Sequence, residues 1–305
     1  QSEFPYRRLV EENRSRGKDQ PEFELVDTGI FDESRYFDCQ VEYAKVTAED
    51  ILIRIEITNR GPQAAPLEIL PSLWFRNTWR WGWDAQRPVL SADKTLPVPA
   101  IASVHRKLGD YVLFCEGADE LLFAENETNF EKLFGCKSFT QYVKDAFHNY
   151  LVAGKVDAVN PGKTGTKAAA RYSRTIDAGN SVVLRLRLTR KGKEGLPAAP
   201  FADFDKVFGE RRAEADEFYD VVVPTTLDAD SRLIARQAFA GMLWSKQYYH
   251  YVVTDWLQGD PGEPPPPASR LHGRNKDWTH LFTRDVISMP DKWEFPWFAS
   301  WDLGF

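Results

Sequence analysis

Four isoleucines stand at every second position from Ile51 to Ile57, alternating with Leu52, Arg54, Glu56 and Thr58. A period of two puts the β-branched set on one face of a strand. The run stops at Asn59-Arg60-Gly61-Pro62, a cluster of turn formers. The same alternation returns at Val182, Leu184, Leu186 and Leu188, set against Val183, Arg185 and Arg187. Between these two runs lie weaker signals of the same kind. Val41–Ala44 alternates, and Leu67–Leu73 is limited to an irregular strand by Pro66 and Pro71. Tyr111–Cys115 and Leu121–Ala124 are short apolar runs flanked by turn formers. Strands joined by turns predict an antiparallel β-sandwich over residues 1–190. Tyr142, Val143, Ala146, Phe147 and Tyr150 keep helical spacing, so a helix is expected to interrupt the sheet within 140–152.

The pattern changes after Arg190. Residues 190–200 read R-K-G-K-E-G-L-P-A-A-P, a linker by composition. From Asp203 the period is helical, with Phe204, Val207, Phe208, Arg211, Ala215 and Phe218 on one face and an end before Pro224. Residues 191–225 are therefore a linker carrying a helix. Asp228 or Asp230 can cap the next helix, whose face runs through Leu233, Ile234, Ala238, Met242 and Ser245 and is expected to continue toward Trp256. Gly259–Pro267 is a surface connection, too rich in proline for a helix. Residues 226–305 read as the start of an α-helical domain. Strands first and helices second make a multidomain β plus α chain.

The bulk composition excludes several functions. With a net charge of −6 and no basic cluster, nucleic-acid binding is not expected. Nor does any apolar run approach the length of a membrane span. Three cysteines, Cys39, Cys115 and Cys136, form an odd, sparse set without metal-ligand spacing. That predicts free thiols in a reducing compartment, hence a cytoplasmic protein. Among His105, His148, His250, His272 and His280 there is no metal or triad spacing, so neither a metal nor another cofactor is expected. Asn160–Lys167 contains Gly162-Lys163-Thr164, but the glycine that a phosphate loop needs five residues earlier is Asp157, and the segment is expected to be a flexible turn.

The chemistry concentrates at the end of the chain. Five of the ten tryptophans (Trp256, Trp278, Trp293, Trp297 and Trp301) fall in the last fifty residues. Aromatic rings stack on the apolar faces of sugars. Asp302 stands between Trp301 and Leu303, and a carboxyl held against such rings has its charged form disfavoured, which is what a general acid needs. The bland alternative is an aromatic helix start with Asp302 as a cap. Trp74–Trp83 packs four tryptophans into ten residues beside Arg76 and Arg80. It reads either as an aromatic corner of the sandwich, with arginine stacked on indole, or as a loop reaching a sugar site. Lys246–Tyr251 likewise suits a sugar or an aromatic-lined helix.

The last segment resembles the start of the catalytic domain in glycoside hydrolase family 63 and its bacterial glucosidase-like relatives. The resemblance is carried by Trp301-Asp302-Leu303-Gly304-Phe305, a W-D-x-x-F element, with Pro296-Trp297-Phe298 before it. It extends to Met289-Pro290-Asp291-Lys292-Trp293, Arg274-Asn275-Lys276-Asp277-Trp278, Leu73–Trp79 and Asp27-Thr28-Gly29. The resemblance implies that the helices begin an (α/α)6 toroid with a lid-like contact to the sandwich. It implies hydrolysis of an α-glycosidic bond with inversion, α-glucosides first, and Asp302 as general acid. Inversion needs a second carboxylate about 6.5–9.5 Å away to activate water; the family's base is a glutamate beyond Phe305. Trp297, Phe298 and Trp301 are the expected wall of the sugar pocket, with Asp277, Trp278 and Asp285 as further contacts. Two alternatives stay open: a glucosyl- or mannosylglycerate hydrolase, and a non-catalytic carbohydrate-binding or scaffolding module. Since the chain starts at Gln1 and stops inside a motif, it is expected to be a piece of a longer enzyme and inactive alone.

Overall fold

The computed structural model describes residues 4–83, 86–192 and 195–288. After helix α1 (Tyr6–Ser15) come strands β1 (Phe37–Thr47), β2 (Asp50–Asn59), β3 (Ala65–Ile69), β4 (Ser72–Trp74), β5 (Val89–Ala92), β6 (Ala100–His105), β7 (Gly109–Cys115) and β8 (Glu120–Ala124). Helices α2 (Phe130–Phe134) and α3 (Ala146–Val152) precede β9 (Thr164–Gly165), β10 (Lys167–Ile176) and β11 (Ser181–Arg190). The remainder is α4 (Phe204–Val222), α5 (Ala229–Trp244), β12 (Lys246–Val252), α6 (Val253–Gln258) and β13 (Phe282–Ser288). The chain divides into two compact units. One is Gln1–Asn77 with Ala85–Phe208, the other Thr78–Asp84 with Gly209–Phe305.

The first unit is two antiparallel sheets packed face to face. The larger has seven strands in the order β1-β2-β11-β7-β6-β5-β9; the smaller centres on β10, flanked by β3 and β4 along one edge and β8 along the other. Between them lies a core of Ile55, Ile57, Ile101, Leu184 and Leu186 from the large sheet and Phe123, Ala168, Ala170 and Tyr172 from the small one. The isoleucine alternation of β2 thus does place one set inward. Pro71 breaks the Leu67–Leu73 run into β3 and β4, and its carbonyl accepts from the N–H of Ala170 at 3.0 Å. Gly165 is required where β9 crosses β8, because a Cβ there would lie 2.2 Å from the carbonyl oxygen of Ala124.

Both outer faces are covered. Ala146 and Phe147 of α3 pack with Val159 on Leu122, Ala124 and Ala169 of the small sheet. The inserted helix is shorter than its spacing predicts, because residues 140–145 form turns that end in the α3 N-cap Asp145. Phe204, Val207 and Phe208 of α4 cover Ala44 and Leu52 of the large sheet. Arg187, on that outer face, is consequently buried. It donates to Asp50 at 2.9 and 2.5 Å, to Asp203 at 2.9 Å and to the carbonyl of Pro200 at 2.8 Å. The Asn160–Lys167 turn is ordered: Lys163 donates to Glu120 at 3.1 Å and to the Leu121 carbonyl at 2.9 Å.

In the second unit α5 starts where Asp228 accepts from the Ser231 N–H at 2.8 Å, a side-chain N-cap. Its contacts with α4 include two ion pairs, Arg232 to Asp220 and Arg236 to Asp216, each 2.6 Å, with the Arg236 guanidinium carbon 4.7 Å from the Tyr219 ring centroid and the Tyr219 and Phe239 rings 6.4 Å apart. The apolar positions Leu233, Ile234, Phe239, Met242, Leu243 and Trp244 are exposed. The helix does not continue toward Trp256. It ends at Trp244, and Lys246–Val252 pairs antiparallel with Phe282–Ser288. The run Tyr248-Tyr249-His250-Tyr251-Val252 is aromatic and β-branched, and a partner strand lets that preference prevail over helical continuation.

Candidate functional site

An open cavity of about 630 Å³ in the second unit is lined by His250, Tyr251, Trp256, Arg270, Arg274 and Asn275. Three pieces of chain build it. Strand β12 brings His250 and Tyr251, the short α6 brings Trp256, and residues 267–275 bring the rest. What folds the third piece back is Gly259, at the end of α6. Its φ of 84° suits glycine, and a Cβ there would lie 2.7 Å from Cδ of Pro266. The glycine thus admits the proline run before the cavity turn.

Local contacts fix the lining. The Arg270 guanidinium carbon lies 4.0 Å from the Trp256 ring centroid, and Nη1 donates to the Trp256 carbonyl at 3.0 Å. Arginine therefore covers part of the indole, which stays 49% exposed. Asn275 has φ 67°, a left-handed conformation that asparagine tolerates better than most residues. Its Nδ2 donates to the Tyr251 hydroxyl at 3.5 Å, and its carbonyl accepts from the Trp278 N–H at 3.0 Å.

Beside the cavity stands an aromatic cluster. The β12–β13 register pairs His250 with Arg284, so the two share a face. Trp83 packs on both: its ring centroid is 5.0 Å from His250, and the Arg284 guanidinium carbon is 4.9 Å from it. Trp81 lies 4.6 Å from Trp83, and Arg284 Nε donates to the Tyr248 hydroxyl at 3.2 Å. Gly262 admits this loop, since a Cβ there would be 3.0 Å from Cβ of Arg80. The Trp74–Trp83 segment is thus divided. Trp74 remains on β4, while Trp81 and Trp83 belong to the unit that holds the cavity.

The lining offers two guanidinium groups, an amide, a phenol, an imidazole, an indole and the Ser269 hydroxyl, with no carboxylate among these described residues. Donors around a half-exposed indole suit a polyhydroxylated ligand. Such a lining binds and orients; it supplies no carboxyl acid or base.

Of the expected contacts, Asp277 and Trp278 follow the cavity turn without lining it. Both are exposed, and Trp278 stacks on His280 with centroids 5.8 Å apart. The backbone of Asp285 pairs opposite Tyr249 in the hairpin, and its side chain is outside the described residues. Asp302, Trp297, Phe298 and Trp301 also lie outside the described residues. Sequence reasoning singled out Trp256 only as one of the five late tryptophans, and it missed Arg270, Arg274 and Asn275 as lining groups. The available signal was the Arg274-Asn275 pair, separated only by Lys276 from Asp277-Trp278. Among the described residues no group of three His, Cys, Asp or Glu side chains is placed to hold a metal. No helix among them is long and apolar enough to cross a membrane.

No family model matches the chain. It is similar to an uncharacterized protein of Saccharomyces cerevisiae, 38% identical over 343 aligned positions that take in 99% of this chain and 31% of the yeast protein. The chain thus spans about a third of the length of that relative.

Proposed function

We propose that this chain belongs to an inverting glycoside hydrolase acting on α-glycosidic bonds, α-glucosides first. The cavity of the second unit positions the sugar and Asp302 protonates the leaving oxygen. The observation that carries this reading is the cavity itself. A half-exposed Trp256 ringed by Arg270, Arg274, Asn275 and the Tyr251 hydroxyl suits a neutral polyol. The candidate for the acid is Asp302, in the W-D-x-x-F element. In this reading α4 and α5 are among the helices of an (α/α)6 toroid. The exposed apolar side chains of α5 support that, since further helices would bury them. The base is a glutamate of the longer protein, which is cytoplasmic, and the chain alone is inactive.

A second reading, hydrolysis of a glucosyl- or mannosylglycerate, is favoured by one residue. Arg274 lines the cavity and has no ion-pair partner among the described residues. A substrate carboxylate would provide one. The test uses the full-length protein with Trp256→Ala and Arg274→Ala, assayed on an α-glucoside and on glucosylglycerate. Trp256→Ala is expected to raise KM roughly tenfold on both, the loss of one stacking contact. Arg274→Ala raises KM selectively on glucosylglycerate if the second reading holds. Unchanged KM for both variants on both substrates would remove the cavity from the site.

A further inference from the structure

The first unit carries a second cavity, also about 630 Å³, whose chemistry differs from the one above. Its lining includes Arg87, His105, Arg106, Asp110, Arg190 and Lys191. Four cations face one carboxylate there, in a chain whose net charge is −6. Two of the cations are already engaged: Arg87 with Glu125 at 2.6 Å, and Arg190 with Glu49. Arg106 and Lys191 have no ion-pair partner among the described residues; Lys191 acts on Asp93 only through space.

The local fold holds these groups in place. The β6–β7 hairpin turns through Arg106–Leu108, and Nδ1 of His105 accepts from the N–H of Lys107 and of Leu108 at 3.1 Å each. The imidazole therefore carries its proton on Nε2 when neutral and is left with a donor. Its ring is 5.0 Å from that of Phe75. Gly109, at φ 87°, completes the turn, and a Cβ there would meet Arg190 Nε at 3.1 Å. The bare glycine backbone is thus what lets the Arg190 guanidinium lie across the hairpin.

We propose that this cavity binds the phosphate group of a phosphorylated monosaccharide. Arg106, Lys191 and the imidazole N–H provide donors for the phosphate oxygens. Asp110 provides an acceptor for sugar hydroxyls, which a site for a bare anion would not need. The volume lies within the range of small-molecule pockets and exceeds what phosphate alone would fill.

The experiment is calorimetric titration of the full chain with glucose 6-phosphate, inorganic phosphate and glucose, at one ionic strength set with sodium chloride. Saturable binding of glucose 6-phosphate is expected, tighter than that of inorganic phosphate, and any binding of glucose through the second-unit cavity should be the same in the Arg106 and Lys191 variant. Arg106→Gln with Lys191→Gln, both at exposed positions, should weaken binding of glucose 6-phosphate about tenfold or more. The pair Lys18→Gln with Lys137→Gln, equal in charge change, should leave it as it was. Three results would each overturn the proposal. They are no binding of glucose 6-phosphate, inorganic phosphate binding as tightly, or undiminished affinity in the Arg106 and Lys191 variant.

Discussion

Replacing Arg187 by methionine tests how the first unit is held. Arg187 and Asp50 are 7% and 14% exposed in their side chains, and Asp203 is 41% exposed. The two bonds to Asp50 are a buried fork, whereas the bond to Asp203 is near solvent and is expected to contribute within the surface range, about 0–1 kcal/mol. Methionine fills similar space but leaves the Asp50 carboxylate without a counter-ion and the Pro200 carbonyl without its donor. Breaking a buried pair from one side costs about 3–5 kcal/mol, because the remaining charge stays desolvated. At a urea slope of about 2 kcal/mol per molar, the unfolding midpoint falls by roughly 2 M. The assay is urea unfolding followed by the far-ultraviolet circular dichroism of the sheets, on the wild type, Arg187→Met, and Arg187→Met with Asp50→Asn. The double variant removes the stranded charge and should recover about 1–2 kcal/mol of the loss. A loss below about 1 kcal/mol, or a double variant no better than the single, would refute the reasoning.

Tyr172 is fully buried in the sandwich core, and its hydroxyl has no hydrogen-bond partner among the described residues. Tyr172→Phe should therefore leave stability unchanged or raise it by up to about 1 kcal/mol, read from the same urea curves; a clear loss would show a bond that the structure lacks. The unit should also weaken in acid. The Arg171 side chain holds the Glu68 carboxyl below its ordinary value of 4.5, and the Ser173 N–H does the same for Asp119 below 3.8. Groups with lowered folded values contribute fully above those ordinary values, and the contribution is lost as pH falls through the lowered ones. Stability should decline from about pH 4.5 downward, and Arg171→Gln should flatten the Glu68 part of that slope; an identical slope in the variant would contradict it.

The elements most legible in the sequence are those whose pattern and burial agree. Strands β2 and β11 alternate because one face meets the core, and α4 keeps its period because Phe204, Val207 and Phe208 cover Leu52. Strand β10 was hidden. Its alanines have little strand preference, but as the central strand of the small sheet it is held by partners on both edges, and small side chains at Ala168 and Ala170 let the two sheets approach. Strand β12 was misread as helix because its partner, Phe282–Ser288, is some thirty residues away and no local pattern announces it. The burial of Arg187 could not be seen either, since it depends on the chain returning at Pro200–Asp203. At the candidate site the aromatic run ending in His250 and Tyr251 stood out in the sequence, though as either a sugar contact or an aromatic-lined helix, and the structure places both residues in the cavity lining. The contribution of Arg270, Arg274 and Asn275 was not legible, because it depends on Gly259 folding the proline run back.

The most direct test of the proposed activity is the anomer released first. The full-length protein would be given an α-glucoside and the new reducing sugar followed by proton nuclear magnetic resonance before mutarotation equilibrates it. Inversion by a general acid and a water-activating base predicts the β anomer first, with Asp302→Asn lowering kcat by roughly 10²–10⁴-fold. Release of the α anomer first, or near wild-type turnover by Asp302→Asn on a substrate with a poor leaving group, would contradict the account.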